Sequence, residues 1–200
     1  MSAHFRCAAT TVVFLCCAGC SAETRAPAAA DTSAMLANEQ PVAESGATAS
    51  PAPLTVTAFG IGRVRAGMLV RDASALLNGA LVAPSGRDSA ACDYLTWRNS
   101  PPGVKVMTER GRIARVEVDS GATTTDAGAR IGDSEARIRE LYGNRVRVEP
   151  HKYTTGRYLI VTPATLTDTL FRLVFETDGQ RVTRFRSGVM PPVLYVEGCG

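Results

Sequence analysis

Two hundred residues allow one domain or two small ones. With 45% hydrophobic and 20% charged residues and a formal net charge of +3, the chain has a globular composition and lacks the dominant single-sign field of a nucleic-acid-binding domain. No apolar run reaches the ~18 to 20 residues that cross a bilayer as a helix, which excludes an integral membrane bundle.

The first 19 residues, MSAHFRCAATTVVFLCCAG, read as a signal peptide. Arg6 and the amino terminus make a short positive region, and Ala8 to Cys17 form an apolar stretch too short to serve as an anchor. The run Cys17-Ala18-Gly19-Cys20 resembles the bacterial lipobox, although Cys17 stands where that pattern prefers Leu. The resemblance implies a diacylglyceryl group on Cys20 and cleavage just before it. Ordinary secretion with cleavage after Ala22 is the alternative. In enteric lipoproteins an Asp after the lipidated Cys favours inner-membrane retention. Ser21 therefore implies a lipid anchor in the outer membrane, with the chain facing the periplasm.

Residues 20–53 then form a tether behind the lipidated Cys. Of the 33 residues from 21 to 53, eleven are Ala, four Pro, four Ser and three Thr, and none is aromatic. Such a stretch buries too little apolar surface to offset the entropy of ordering. Of the six cysteines, 7, 16 and 17 leave with the signal peptide and Cys20 is acylated. Cys92 and Cys199 remain in an oxidising compartment, which predicts one disulfide between them.

Residues 54–200 are long enough for one sound core and carry signs of an internal duplication. A helix is predicted between Gly67 and Gly79 and another between Gly132 and Gly143, each ended by a Gly. Asp133 or Ser134 caps the second, with Glu135 in its first turn. Tyr94-Leu95 recurs as Tyr158-Leu159 at the same offset of 64 as Gly79 and Gly143. Val104–Thr108 and Arg112–Val118 flank a Glu109-Arg110-Gly111 turn. Leu170–Glu176 and Gln180–Arg186 flank Thr177-Asp178-Gly179. Both read as hairpins of alternating strands. A short strand over Val193–Val196 is predicted to close the sheet edge. The fold class expected is therefore α+β. Two tandem helix-plus-antiparallel-sheet repeats, about 59–120 and 128–200, form one continuous sheet with helices on one face and water on the other.

The pattern Gly62-x-x-x-x-Gly67-Met68 before a short helix resembles the SmpA/OmlA outer-membrane lipoprotein repeat. In tandem it resembles the β-lactamase-inhibitor-protein architecture. Gly132 to Gly143, Pro150 to Tyr153, Val174 to Gly179 and Tyr195 to Cys199 are similar to small envelope lipoproteins of Xanthomonas-like bacteria, some of them labelled lectins.

Catalytic signatures are weak. Gly132-Asp133-Ser134 echoes the nucleophile triplet of SGNH hydrolases but opens a helix and has no Asp-x-x-His downstream. His151 is the one histidine after processing, so neither a metal site nor a catalytic residue is expected, and no cofactor. Six residues are candidates for ligand contact: Trp97, His151, Tyr153, Arg157, Arg184 and Arg186. Trp97 reads either as a core anchor or as a stacking platform. Val182 and Phe185 share a face at spacing three only if a bulge lies near the Asp178-Gly179 turn. That bulge leaves Arg184 and Arg186 on one outward row, which the tip of the His151–Arg157 loop is expected to join.

Together these features predict a non-enzymatic lipoprotein of the cell envelope. Its folded part would be a protein-binding module, an inhibitor or an assembly factor. The alternatives are a carbohydrate or lipopolysaccharide binder and, less favoured, a hydrolase using His151. The partner expected is an envelope protein or glycan, and not a nucleic acid.

Overall fold

The structure is a computed structural model, and it describes residues 54–77, 81–83, 91–165 and 168–199. The signal peptide, Cys20 and the tether lie outside the described residues. Within residues 48–200, which make one compact unit, the fold is mostly β.

The chain enters through three two-residue strands, β1 (Val56–Thr57), β2 (Gly60–Ile61) and β3 (Val64–Arg65), paired antiparallel as a small sheet. Gly60 makes this meander possible. Its φ is +147°, and a Cβ there would lie 2.0 Å from the Val64 carbonyl oxygen. Next comes α1 (Val70–Leu76), shorter than the stretch between Gly67 and Gly79 and without a side-chain cap. Then follow β4 (Cys92–Leu95), β5 (Val104–Glu109) and β6 (Arg112–Val118). Arg110 and Gly111 both have positive φ, 52° and 73°, which is the two-residue hairpin turn whose twist suits the strands.

The second half begins with α2 (Glu135–Tyr142), capped by Ser134, whose hydroxyl accepts the Arg137 N–H at 3.1 Å. After a 3-10 turn come β7 (Val146–Pro150), β8 (Arg157–Val161), β9 (Phe171–Thr177) and β10 (Val182–Val189). These join the first-half strands in one seven-stranded sheet of order β4-β5-β6-β10-β9-β8-β7, antiparallel throughout. The register shifts between Val182 and Arg184, so both Val182 and Phe185 reach the same core.

The expected α+β architecture is thus overturned. Among the described residues there are two sheets, of three and seven strands, and two α-helices, not even repeats with helices lining one face. The reason is size. Helices of seven and eight residues are about 11 Å long, whereas seven strands span roughly 29 Å. The three-stranded sheet makes up part of the difference: Val56, Ile61 and Val64 share the main core with Ala73 of α1 and Ile138 and Tyr142 of α2. Directly opposed residues build the floor of that core across six strands: Val104, Val118, Phe185, Phe175, Leu159 and Val148.

The opposite face is not simply wet either. Val193 to Val196 form no edge strand; a 3-10 turn (Pro192–Leu194) carries the C-terminal segment across the sheet. Met190, Val193, Leu194 and Val196 pack there on Tyr158, Ile160 and Val174 as a second, smaller core. The segment ends in a disulfide between Cys199 and Cys92 of β4, with Cα atoms 5.5 Å apart.

Candidate binding face

One residue along from the apolar row, the same strands present Lys105, Glu117, Arg186, Val174, Ile160 and Arg147 to the other side. Val174 and Ile160 lie under the C-terminal segment. The remaining charges assemble two linked clusters.

Glu176 of β9 centres the first. Its side chain is 7% exposed. Oε1 accepts from an Arg186 N–H, while Oε2 lies 3.3 Å from Arg184 Nε and 3.4 Å from His151 Nε2. His151 stacks on Tyr158 with ring centres 4.5 Å apart. Its Nδ1 accepts the Tyr153 backbone N–H at 3.1 Å, a bond that assigns the ring proton to Nε2, facing Glu176. Tyr153 is 60% exposed and donates its hydroxyl to the Glu197 carboxylate. Lys152 Nζ lies 5.0 Å from the Tyr153 ring.

Arg115 of β6 centres the second. Buried to 3% exposure, it donates to the carbonyls of Pro192 and Tyr195, both at 2.8 Å, and through Nε to Glu117 at 2.6 Å. Arg186 likewise donates through Nε to the Val193 carbonyl at 2.6 Å. Two buried guanidiniums therefore hold the backbone of the C-terminal segment, and each is neutralised by a glutamate in the same layer. Tyr94 donates its hydroxyl to Glu117 at 2.7 Å; burial, reinforced by that bond, raises its pKa. Lys105 Nζ lies 3.2 Å from Asp119. Burial alone would raise the Asp119 pKa, but bonds from Lys105 and Ser120 outweigh it and the net shift is down. Gly198 lies so close to Tyr94 that a Cβ would come 2.6 Å from its hydroxyl. Between the clusters sits a cavity of about 120 Å³ walled by Lys105, Glu117, Asp119, Arg184 and Arg186, with Val196 and Gly198 on its rim.

Four of the six sequence candidates thus meet around Glu176: His151, Tyr153, Arg184 and Arg186. They are not equivalent. Arg184 is 61% exposed at its side chain, but Arg186 lies beneath the C-terminal segment, so the expected outward row ends at Arg184. Arg157 does not join the group. It alternates with Tyr158 to the other face and binds Glu135 at 2.7 Å, where Thr177 also donates to that carboxylate. Trp97 is a core residue at 6% exposure, so its ring is no stacking platform. Sequence reasoning passed over Glu176, Glu117, Arg115, Tyr94 and Lys105. Parity could have found Glu176: across the hairpin it shares a face with Arg184, its register partner.

Ser134 acts as the α2 cap, which accounts for the Gly-Asp-Ser triplet. Among the described residues no group of three or more His, Cys, Asp or Glu is placed to hold a metal ion, and no helix is long and apolar enough to cross a membrane. No family model matches this chain, nor does any curated protein or solved structure.

Proposed function

We propose that this chain is a non-enzymatic lipoprotein of the cell envelope. Anchored through Cys20 and facing the periplasm, it docks a partner protein on the charged face as an inhibitor or assembly factor. One observation carries the reading: next to the C-terminal segment, Tyr153 and Arg184 stand exposed on a base of buried, mutually neutralised ion pairs. An exposed tyrosine and arginine on a rigid support are the side chains that dominate protein interfaces. A hydrolase reading fits less well, because both His151 ring nitrogens are engaged, one by the Tyr153 amide and one by Glu176. A saccharide reading lacks its indole platform, since Trp97 is in the core.

The test places a photo-crosslinking amino acid at position 153 in the full chain expressed in its envelope, with position 71 on α1 as control. The proposal expects a discrete protein adduct from position 153 that disappears with Arg184→Glu. Identical adducts from positions 153 and 71, or none with retention on a glycan or lipopolysaccharide column, overturn it.

A further inference from the structure

A second concavity lies on the side of the domain that faces the main core, away from the charged face. It is a cavity of about 210 Å³ between the β1–β2 turn, the end of α2 and the facing ends of β8 and β9. Its floor is apolar and fixed. Val161 and Leu173 are register partners, and with Tyr142 they belong to the buried core. Phe59 forms a wall, held edge-on against Phe171 with ring centres 5.2 Å apart. An engineered apolar cavity of ~150 Å³ accepts benzene, so a phenyl-sized group fits this one.

The lining also includes two opposite charges, Arg145 and Asp126. Arg145 lies over the Tyr142 ring, 5.4 Å from its centre, and Asp126 accepts the Ala127 N–H at 3.0 Å. Neither has an ion-pair partner among the described residues. After burial and the Thr125 hydrogen bond, both also act on the Tyr142 hydroxyl, Asp126 raising its pKa and Arg145 lowering it.

An apolar floor beneath two unpaired opposite charges is complementary to a small zwitterion with an apolar side chain. We propose that this cavity binds a free apolar α-amino acid of the phenylalanine class, its side chain on the Val161–Leu173 floor, its carboxylate at Arg145 and its ammonium at Asp126. A fatty acid would leave its carboxylate opposed by Asp126, and an apolar amine would leave its ammonium opposed by Arg145. A residue inside a peptide offers neither charge.

The probes are phenylalanine, hydrocinnamate, which lacks the amine, and phenethylamine, which lacks the carboxylate. Each is titrated calorimetrically into the purified chain with its disulfide intact. Phenylalanine should bind saturably, with the other two at least tenfold weaker. Arg145→Gln should erase the advantage over phenethylamine, and Asp126→Asn the advantage over hydrocinnamate. Asp126→Asn keeps side-chain size, and Arg145→Gln keeps a polar side chain beside the Tyr142 ring. Ala58→Trp, which adds an indole to the cavity lining, should abolish binding, and Arg184→Glu on the other face should leave it unchanged. The proposal fails if phenylalanine shows no saturable binding, if hydrocinnamate or phenethylamine binds as well, or if a folded Ala58→Trp protein still binds. Because Arg184 is not part of this cavity, such a failure leaves the docking reading of the charged face standing.

Discussion

The two faces of the seven-stranded sheet are made by the same strands, one residue out of phase, and they solve the covering problem differently. On one face, Phe185, Phe175 and Leu159 meet α2 and the small sheet through apolar contact, which is non-directional and tolerates an irregular lid of short elements. On the other, the lid is a single C-terminal segment. Apolar packing by Val193 and Val196 covers part of it, and the guanidiniums of Arg115 and Arg186 take up its backbone carbonyls. A lone segment without a strand partner would otherwise bury unpaired carbonyls. Arginines in an alternating strand therefore do not by themselves mark a wet face: they also serve where irregular backbone must be covered.

The largest expected effect comes from cutting the lid loose. Cys92→Ser with Cys199→Ser opens a closure across 107 residues, worth about 4 to 5 kcal/mol in the chain-entropy account. Urea denaturation should register that loss. Hydrogen exchange should rise first in residues 190–199, while β9 and β10 stay protected. Equal loss on both sides would show that the two covers are not separate.

Next comes a matched pair of side-chain deletions. Phe175→Ala, which removes a ring packed against Tyr142 and Phe185, should cost about 3 to 5 kcal/mol. Arg186→Leu leaves Glu176 and the Val193 carbonyl without that donor and should cost about 2 to 4 kcal/mol. The two differ in kind. Adding Glu176→Leu to Arg186→Leu should recover part of the second cost, measured as a non-additive double-mutant cycle, because no buried charge is then left over. Simple additivity would refute the ion pair as the organising contact of that face.

Much of this arrangement was legible in the sequence. Alternation and turn chemistry locate both hairpins, Ser134 announces its helix, and the spacing of Val182 and Phe185 requires the bulge that the register shift supplies. What was illegible has physical causes. Strands of two residues have no period, so β1 to β3 left no pattern. Val193–Val196 is apolar enough for a strand, and nothing local says that it lies across a face instead of along an edge. Arg184 and Arg186 look identical by parity, and the C-terminal segment, distant in pairing though near in sequence, buries one and spares the other.

Tyr142 offers a pH probe specific to the apolar face. Burial is the main cause raising its pKa to about 12, and its hydroxyl donates to Thr125 at 2.7 Å. The folded value lies above the unfolded value near 10. The protonated hydroxyl's contribution is therefore complete below about pH 10 and disappears as the pH rises through about 12. Two units correspond to about 2 to 3 kcal/mol. Stability should fall across that window, and the fall should shrink in Tyr142→Phe, compared by urea midpoints at each pH. An unchanged slope in the variant would assign the alkaline loss elsewhere.

The smallest expected effect on stability is also the one that bears on function. Arg184 and Arg186 approach the same carboxylate, yet the exposed one is surrounded by water, where an ion pair contributes little. Arg184→Gln, which sets no second carboxylate against the buried Glu176, should therefore cost no more than about 1 kcal/mol by urea denaturation, less than Arg186→Leu. Any partner protein that crosslinks at Tyr153 should nevertheless associate more slowly with the variant. The deficit should be greatest at low salt and fade as ionic strength rises, because a rim charge acts mainly on encounter and its field is screened within about 10 Å at 0.1 M salt. Stopped-flow association at several salt concentrations separates the outcomes. A salt-independent deficit would mean that Arg184 makes a desolvated contact at the centre of the interface. An unchanged association rate at low salt would remove the charged face from recognition and leave Arg184 as a solvated neighbour of Glu176.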